Sequence, residues 1–253
     1  MKLDLHVHTS HSFDCKSRVE DVVRTAEEAG LDAIAITDHD TLSAIELARG
    51  LARKIIVIPG IEVSSWKGIH LQGLFLTEEI NSRDIFEIIN EIHLQGGLVV
   101  LPHPFRHSTG LMYGRDKHQL FSGEDLKEIL KQIDLVEVIN YGCMPEENLE
   151  ANNFFDSFPK TPQVAGSDAH EASQIGKAYV ELSDVDTDDL DKIKRSLLEA
   201  SRVIRYEAFD IDGEMEREKR PAGPGKGIIS GIKGSLRKMM ARINRRGDSA
   251  MEA

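Results

Sequence analysis

The sequence predicts an α/β fold, a closed barrel of parallel strands surrounded by helices. Two observations lead to this prediction. Short apolar runs rich in β-branched residues alternate with amphipathic stretches of helical length, a pattern typical of a parallel sheet. About seven such units fit into roughly 200 residues, which is the size of a (β/α) barrel. An open, doubly wound sheet is the second architecture that this alternation allows.

Strands and helices are predicted from these runs and from the turn-forming residues that bound them. The strands are Leu3–Val7, Ala33–Thr37, Ile55–Ile58, Leu71–Leu76, Leu98–Leu101, Leu135–Ile139, Pro162–Ala165 and Ala178–Leu182. The helices are Ser17–Ala29, Thr41–Ala52, Ser82–Gln95, Gly123–Gln132, Pro145–Phe155 and Thr187–Ala200. Ser17 and Glu20 form a capping-box pattern at the start of the first helix, Gly30 closes it, and Thr41 is the predicted N-cap of the second.

Charge divides the chain of 253 residues into two parts. The formal net charge is -12, yet residues 217–246 hold ten of the 31 Lys and Arg residues and one of the 43 Asp and Glu residues. We therefore predict an acidic domain over residues 1–210, followed by a Gly/Pro linker and a basic amphipathic tail over residues 211–253. The tail is a candidate for contact with nucleic acid, a membrane surface or the acidic face of the domain itself.

The remaining bulk properties favour the cytoplasm. Cys15 and Cys143 are too few for a disulfide framework and fit a reducing interior. No apolar run reaches the length of about 18 residues that a membrane span requires. A strand that begins by Leu3 leaves no room for a signal peptide ahead of it.

Imidazole and carboxylate side chains recur where predicted strands end. His6 and His8 lie two residues apart on one strand, so they share a face, and Asp168 and His170 have the same spacing. Further such positions are Asp38, His39, Glu62, His70, His103 and Glu137. Because the carboxyl ends of parallel barrel strands meet at one mouth, we expect these side chains to converge there.

This residue set predicts metal chemistry. Imidazole and carboxylate are ligands of Zn, Mn and Fe. The candidate residues are more numerous than the ligands that one ion binds. Two or three ions about 3.5–4 Å apart would suit the hydrolysis of a phosphate ester. A single histidine at a strand end is usually structural, but a structural role would have to hold independently at every strand end. It remains the favoured role for His11, His93, His107 and His118, of which His11 and His107 lie near enough in sequence to contact substrate.

Six motifs, taken in order, resemble those of the PHP (polymerase and histidinol phosphatase) superfamily over about residues 2 to 205. They are "DLHVHTSHS…D", "AITDHDT", "PGIEVS", "IHLQGL", "LPHPFR" and "GSDAH". The resemblance implies an irregular (β/α)7, TIM-like barrel with a trinuclear metal site. It assigns a first metal to His6, His8, Glu62 and Asp168, a second to Glu62, His70 and His103, and a third to Asp14, His39 and His170.

The predicted function is metal-dependent hydrolysis of a phosphate ester, most simply a small phosphomonoester such as a nucleotide, by a water that two or three divalent ions (Mn, Zn or Fe) activate. Arg106, three residues after His103, is predicted to clamp the phosphate. Asp38 is predicted to orient His39 or another ligand, and Glu137 to support a ligand. Asn140 and Lys177 are candidates for the mouth. The alternatives are a nuclease acting on short RNA or DNA ends, a histidinol-phosphate phosphatase, and a metal-binding module without catalysis.

Overall fold

A computed structural model describes residues 1–113, 121–158 and 160–207. The predicted tail over residues 211–253 and His118 lie outside the described residues. The strands are β1 (Lys2–Val7), β2 (Ala33–Ile36), β3 (Ile56–Ser64), β4 (His70–Leu74), β5 (Leu98–Leu101), β6 (Leu135–Asn140), β7 (Gln163–Gly166), β8 (Ala178–Leu182) and β9 (Arg202–Tyr206). The helices are α1 (Val19–Glu28), α2 (Ile45–Leu51), α3 (Ile85–Leu94), α4 (Gly123–Lys131), α5 (Pro145–Phe155) and α6 (Leu190–Glu199).

The helices form where one apolar face can be buried against the sheet. In α1 the buried side chains are Val19, Val22, Val23 and Ala26, which repeat every three or four residues. Gly30 follows with φ +70°, the left-handed conformation predicted for the residue that ends this helix.

Two predicted helix starts are wrong. The N-cap of α1 is Arg18, because the Ser17 hydroxyl donates to the carbonyl oxygen of His170 (3.2 Å) instead of capping the helix. Helix α2 begins only at Ile45, and the Thr41 hydroxyl donates to Glu79 (2.8 Å). In both cases a contact with a distant segment outweighs local capping.

One sheet contains all nine described strands, in the order β7-β6-β5-β4-β3-β2-β1-β8-β9. Strands β1, β2 and β3 are parallel, as are β5, β6 and β7. The expectation of a parallel sheet is wrong for β4, which is antiparallel to both of its neighbours, and for β8, which is antiparallel to β1 and β9. Strand β3 is longer than predicted and returns directly as β4, so one irregularity of the barrel is a hairpin in place of a strand–helix–strand unit.

The sheet closes because one edge of β1 pairs with two segments, β8 at its start and the residues after β7 at its end. Its first residues, Lys2 and Leu3, pair with β8. Its last residue, Val7, forms a parallel bridge with Ala169, just after β7, and the Asp168 amide donates to the His6 carbonyl oxygen (2.7 Å). The architecture is therefore a nearly closed barrel, as predicted, and not an open doubly wound sheet.

A buried carboxylate holds this seam together. Asp4 is fully buried, and its two oxygens accept hydrogen bonds from the amides of Ser167 and Gly176 (2.9 Å each). Burial nevertheless dominates and raises the pKa of Asp4 to about 6. These two bonds connect β1 to Ser167, directly after β7, and to Gly176, shortly before β8. Within the described residues, no helix has the length and apolar composition needed to cross a bilayer.

Candidate metal centre

All nine predicted ligands lie at one mouth of the barrel. Six of them follow β1, β2, β5 or β7, and two lie within β1 and β3. The ninth, His70, begins β4, whose antiparallel direction brings its first residue to the same end. The nine side chains are His6, His8, Asp14, His39, Glu62, His70, His103, Asp168 and His170. Eight of them fall into three groups in which ligand atoms of three or four residues approach one another closely, and the remaining one, His103, contacts Glu62.

The first group is His6, His8, Glu62 and Asp168, all buried. The Nε2 atoms of the two histidines are 3.1 Å apart. Each lies 3.3 Å from Glu62 Oε2 and 3.2 Å from Asp168 Oδ1. Ligand atoms bound at about 2.0–2.1 Å to a tetrahedral ion are separated by about 3.3–3.4 Å. The spacing of these four atoms therefore matches a single ion at their centre.

Hydrogen bonds behind the two rings set their tautomers. The His6 Nδ1–H donates to Glu137 Oε1 (3.1 Å). The Ser12 hydroxyl donates to Asp38 Oδ1 (2.9 Å), so its oxygen accepts from His8 Nδ1–H (3.0 Å). When both rings are neutral, their Nε2 atoms are left with lone pairs that face each other and two carboxylate oxygens. Four acceptors this close repel one another unless positive charge lies between them, and a divalent ion fits this requirement.

Asp38 therefore acts on His8 through Ser12. Its carboxylate also accepts from the amide and hydroxyl of Thr9 (2.6 and 2.7 Å), which fixes the loop after β1. The Ser12 oxygen accepts from the His39 amide as well (2.9 Å). These bonds make Asp38 a positioning residue for the loop and for His8, rather than a group that reaches the His39 ring.

Glu137 has the same function behind His6. Its second oxygen accepts from the His103 amide (2.9 Å) and from Asn140 Nδ2 (2.8 Å). Gly166 allows this close packing, because a Cβ there would lie 2.4 Å from His6 Cβ and 2.5 Å from Glu137 Oε1. Glu137 therefore contacts the His6 ring, the His103 backbone and Asn140, and its role as the support of a metal ligand stays a prediction.

The second and third groups share His39. Glu62 Oε1 lies 3.0 Å from His70 Nδ1 and 3.0 Å from His103 Nε2, and His39 also joins Glu62 and His70 within ligand distance. Its Nδ1 is buried without a hydrogen-bond partner in the described part of the chain. A buried nitrogen without a hydrogen-bond partner beside a carboxylate fits a group that binds a cation.

The third group is the most exposed. Asp14 Oδ2 lies 3.3 Å from His39 Nε2 and 3.2 Å from His170 Nε2. The His170 Nδ1–H donates to the Asp168 carbonyl oxygen (2.9 Å), which turns Nε2 toward Asp14. His8 also belongs to this group. The arrangement brings together the three residues that the resemblance assigns to a third metal.

The buried carboxylates create a strongly negative potential at the centre. Burial by itself would lower the pKa of His8, but hydrogen bonds to Asp168 and Glu62 outweigh it and raise that pKa to about 9. Burial would also lower the pKa of His6. Asp168, Glu137 and Glu62 outweigh it and raise that pKa well above its ordinary value. A metal ion and a proton therefore compete for the same Nε2 atoms.

Arg106 lies beside the first group. Its Nη2 is 2.6 Å from Asp168 Oδ2 and donates to Asn140 Oδ1 (3.2 Å). Asp168 thus faces the histidines with one oxygen and Arg106 with the other. Burial would raise the pKa of Asp168, but His6 and Arg106 hold it well below its usual range. Gly142 makes room for the guanidinium, because a Cβ there would lie 2.8 Å from Nη2.

Other predicted positions have partners elsewhere. His93 Nε2 lies 2.9 Å from Asp134 on the outer surface, and His11 Nδ1 lies 2.7 Å from the Ser43 hydroxyl. Lys177, a candidate for the mouth, instead donates to Glu207. The sequence reasoning missed Ser12. Its spacing of four residues from His8, within a loop rich in hydroxyls, was the available signal.

The barrel and the grouped ligands at its mouth define the class of metal-dependent phosphoesterases. The sequence matches the PHP domain family over residues 4–144 and the PHP-associated family over residues 145–201. The chain belongs to the PHP domain family.

Three known proteins illustrate the similarity. An uncharacterized protein of Methanocaldococcus jannaschii is 32% identical over 195 residues, 76% of this chain and 75% of the relative. The 5′-3′ exoribonuclease Rnm of Escherichia coli is 44% identical over 80 residues, 28% of this chain and 26% of the relative. A two-domain protein of Bacteroides vulgatus, described as containing a predicted PHP-like metal-dependent phosphoesterase, superposes with a TM-score of 0.63 at 21% identity, covering 81% of this chain and 64% of that one. The last comparison shows a shared fold.

Proposed function

We propose that the chain hydrolyses a small phosphomonoester, such as a nucleotide, and that two or three divalent ions, Mn, Zn or Fe, occupy the mouth of the barrel. The observation that carries the proposal is the set of four acceptors on His6, His8, Glu62 and Asp168, in which five of the six pairs of atoms are 3.1–3.3 Å apart. The further ligands are Asp14, His39, His70, His103 and His170.

The metals would supply charge neutralisation at the phosphoryl group and activation of water at neutral pH. The chain's own residues do the remaining work. Glu137 and the Ser12–Asp38 pair orient the rings of His6 and His8. Arg106, anchored to Asp168, holds a fixed positive charge beside the first group and binds an oxygen of the phosphate.

Phosphate release from a panel of nucleotides, sugar phosphates and histidinol phosphate tests this proposal, with each metal supplied in turn. We expect turnover that a chelator abolishes and that His6→Ala and Asp168→Ala remove. His93→Ala is the matched control, because this histidine pairs with Asp134 outside the mouth and its loss should leave turnover unchanged. Metal binding without release of phosphate from any ester would favour the non-catalytic module. Turnover of histidinol phosphate alone would favour that phosphatase.

A nuclease is the second candidate. It is supported by the 44% identity to an exoribonuclease over 80 residues and by the basic residues 217–246. A 5′-phosphorylated oligonucleotide and the matching mononucleotide, compared at equal concentration, separate the two functions. Stepwise shortening of the oligonucleotide supports the nuclease, whereas loss of its terminal phosphate alone supports the phosphatase. The basic tail as a nucleic-acid contact and the cytoplasmic location remain predictions.

A further inference from the structure

Three large apolar side chains are exposed on loops at the mouth. Phe13 lies between β1 and α1, Trp66 in the turn between β3 and β4, and Met144 between β6 and α5. Their exposed fractions are 83%, 84% and 62%. Each loop follows the carboxyl end of a strand that carries a ligand or its supporting carboxylate. The apolar surface and the candidate metal centre therefore occupy the same end of the barrel.

These side chains are unusual within the described part of the chain. It exposes nine large hydrophobic residues, and Phe13 and Trp66 are the two most exposed. The other six, outside the mouth loops, lie on outer helices or on β9. They are Leu47, Leu94, Leu149, Leu198, Val203 and Tyr206. Singly exposed apolar residues are common on protein surfaces, so the distinguishing feature of Phe13 and Trp66 is that both lie on loops at the mouth that holds the candidate metal centre.

Phe13 has one covered face and one open face. Its ring stacks on the His39 ring, with centroids 4.9 Å apart and an interplanar angle of 24°. His39 belongs to two of the ligand groups. A flat group that stacks on the open face of Phe13 would therefore have only the Phe13 ring between it and His39, a candidate metal ligand.

Trp66 is held farther out by a fixed turn. Its amide donates to the Arg83 carbonyl oxygen (2.9 Å), and the Gly68 amide donates to the Ser65 carbonyl oxygen (2.8 Å). The turn lies directly on the β3–β4 ladder, in which Ser64 pairs with His70. Trp66 is four residues beyond Glu62, about 13 Å along an extended strand. The backbone of Trp66 is thus held past the end of β3, whereas the Phe13 ring contacts the candidate ligand His39.

We propose that Phe13 and Trp66 form a base-binding rim, in which Phe13 stacks the base nearest the reacting phosphate and Trp66 stacks the next base. Aromatic side chains bind bases of any identity by stacking, so the rim would select nucleotides and single strands without reading their sequence. Met144 adds an adaptable apolar contact. A sugar phosphate has no flat group to cover either ring. This inference rests on the proposed function and narrows its substrate to phosphate esters that carry bases.

Fluorescence tests the rim independently of turnover, because Trp66 is the single tryptophan of the chain. The metal-loaded full-length protein is titrated with non-hydrolysable phosphonate analogues of ribose 5-phosphate, adenosine 5′-monophosphate and a 5′-phosphorylated dinucleotide. We expect the dinucleotide analogue to quench Trp66 emission saturably, and the ribose analogue to compete with it without quenching. Phe13→Ala should weaken both base-carrying analogues about tenfold and leave the ribose analogue unchanged.

Ring-retaining and remote variants complete the test. Phe13→Tyr should bind all three analogues as the unmodified chain does, and Leu94→Ala, which removes an exposed side chain from α3, should also change nothing. Absence of saturable quenching by the dinucleotide analogue would overturn the inference, even if phosphate esters are hydrolysed. Equal weakening of all three analogues by Phe13→Ala would overturn it too, since the residue would then act only through His39. Absence of phosphate release from every ester would instead refute the proposed function.

Discussion

Ser12 fixes the tautomer of His8, and this single hydroxyl illustrates how the site depends on residues that carry no charge. Its hydrogen is directed to Asp38 and its oxygen accepts from His8 Nδ1–H and from the His39 amide. The ligand types could be predicted from the sequence, because imidazoles and carboxylates that recur at successive strand ends indicate metal binding. Ser12 was harder to predict, because its spacing of four residues from His8 was a weak signal and a serine in a loop has many roles.

Replacement of Ser12 by alanine should weaken metal binding about 10- to 100-fold, the range found when a supporting partner of a ligand is removed. Ser12→Thr keeps the hydroxyl and should restore most of the affinity. Titration with a chelator of known affinity measures the change. Ser43→Ala is the control, because Ser43 makes a similar contact with His11 outside the ligand groups. Equal effects of Ser12→Ala and Ser43→Ala would show that the tautomer argument is wrong.

Metal affinity should rise with pH up to about 9. The carboxylates raise the pKa of His8 to about 9 and also raise that of His6. Each ring is therefore an imidazolium, with a proton on Nε2 as well as on Nδ1, at neutral pH when no metal is bound. A metal must displace these protons, and fewer remain as the pH rises. Chelator competition at several pH values from about 6 to 9, together with proton release in weak buffer, checks this. An affinity independent of pH across that range would contradict it.

The elements of the barrel were predicted well where each strand is followed by a helix, because the change from a two-residue to a 3.6-residue apolar period is visible in the sequence. The β3–β4 hairpin was not recognised, since β3 continues past Ile58 through Pro59 and Gly60, residues that usually end a strand. Strand β9 was missed as well. Its side chains are largely exposed, so it shows little apolar pattern.

Two glycines should respond to alanine in opposite directions. A Cβ at Gly166 would lie 2.4 Å from His6 Cβ, so Gly166→Ala should lower the free energy of unfolding by about 1–3 kcal/mol, the usual cost of overpacking. Gly50 lies inside α2 with nothing within 4 Å of an added Cβ, so Gly50→Ala should raise that free energy by up to about 1 kcal/mol. Urea denaturation measures both. Similar changes in the two variants would mean that barrel closure tolerates a side chain at Gly166.

At the scale of the whole molecule, closure of the sheet makes the site. The carboxylate of Asp168 reaches His6 and His8 because the segment after β7 pairs with the end of β1. Residues from opposite ends of the domain sequence thus form one ligand group. The sequence predicted this convergence from the barrel, whereas the sharing of His39 between two groups depends on side-chain geometry that the spacing of residues does not contain.

Elemental analysis of the purified protein shows whether the mouth of the barrel binds metal. We expect two to three divalent ions per chain after dialysis against Mn²⁺ or Zn²⁺, at least one fewer in His6→Ala and the same number in His93→Ala. An unmodified chain that retains no divalent ion after such loading would refute the metal centre, because the facing acceptors of His6, His8, Glu62 and Asp168 would then be satisfied by protons alone.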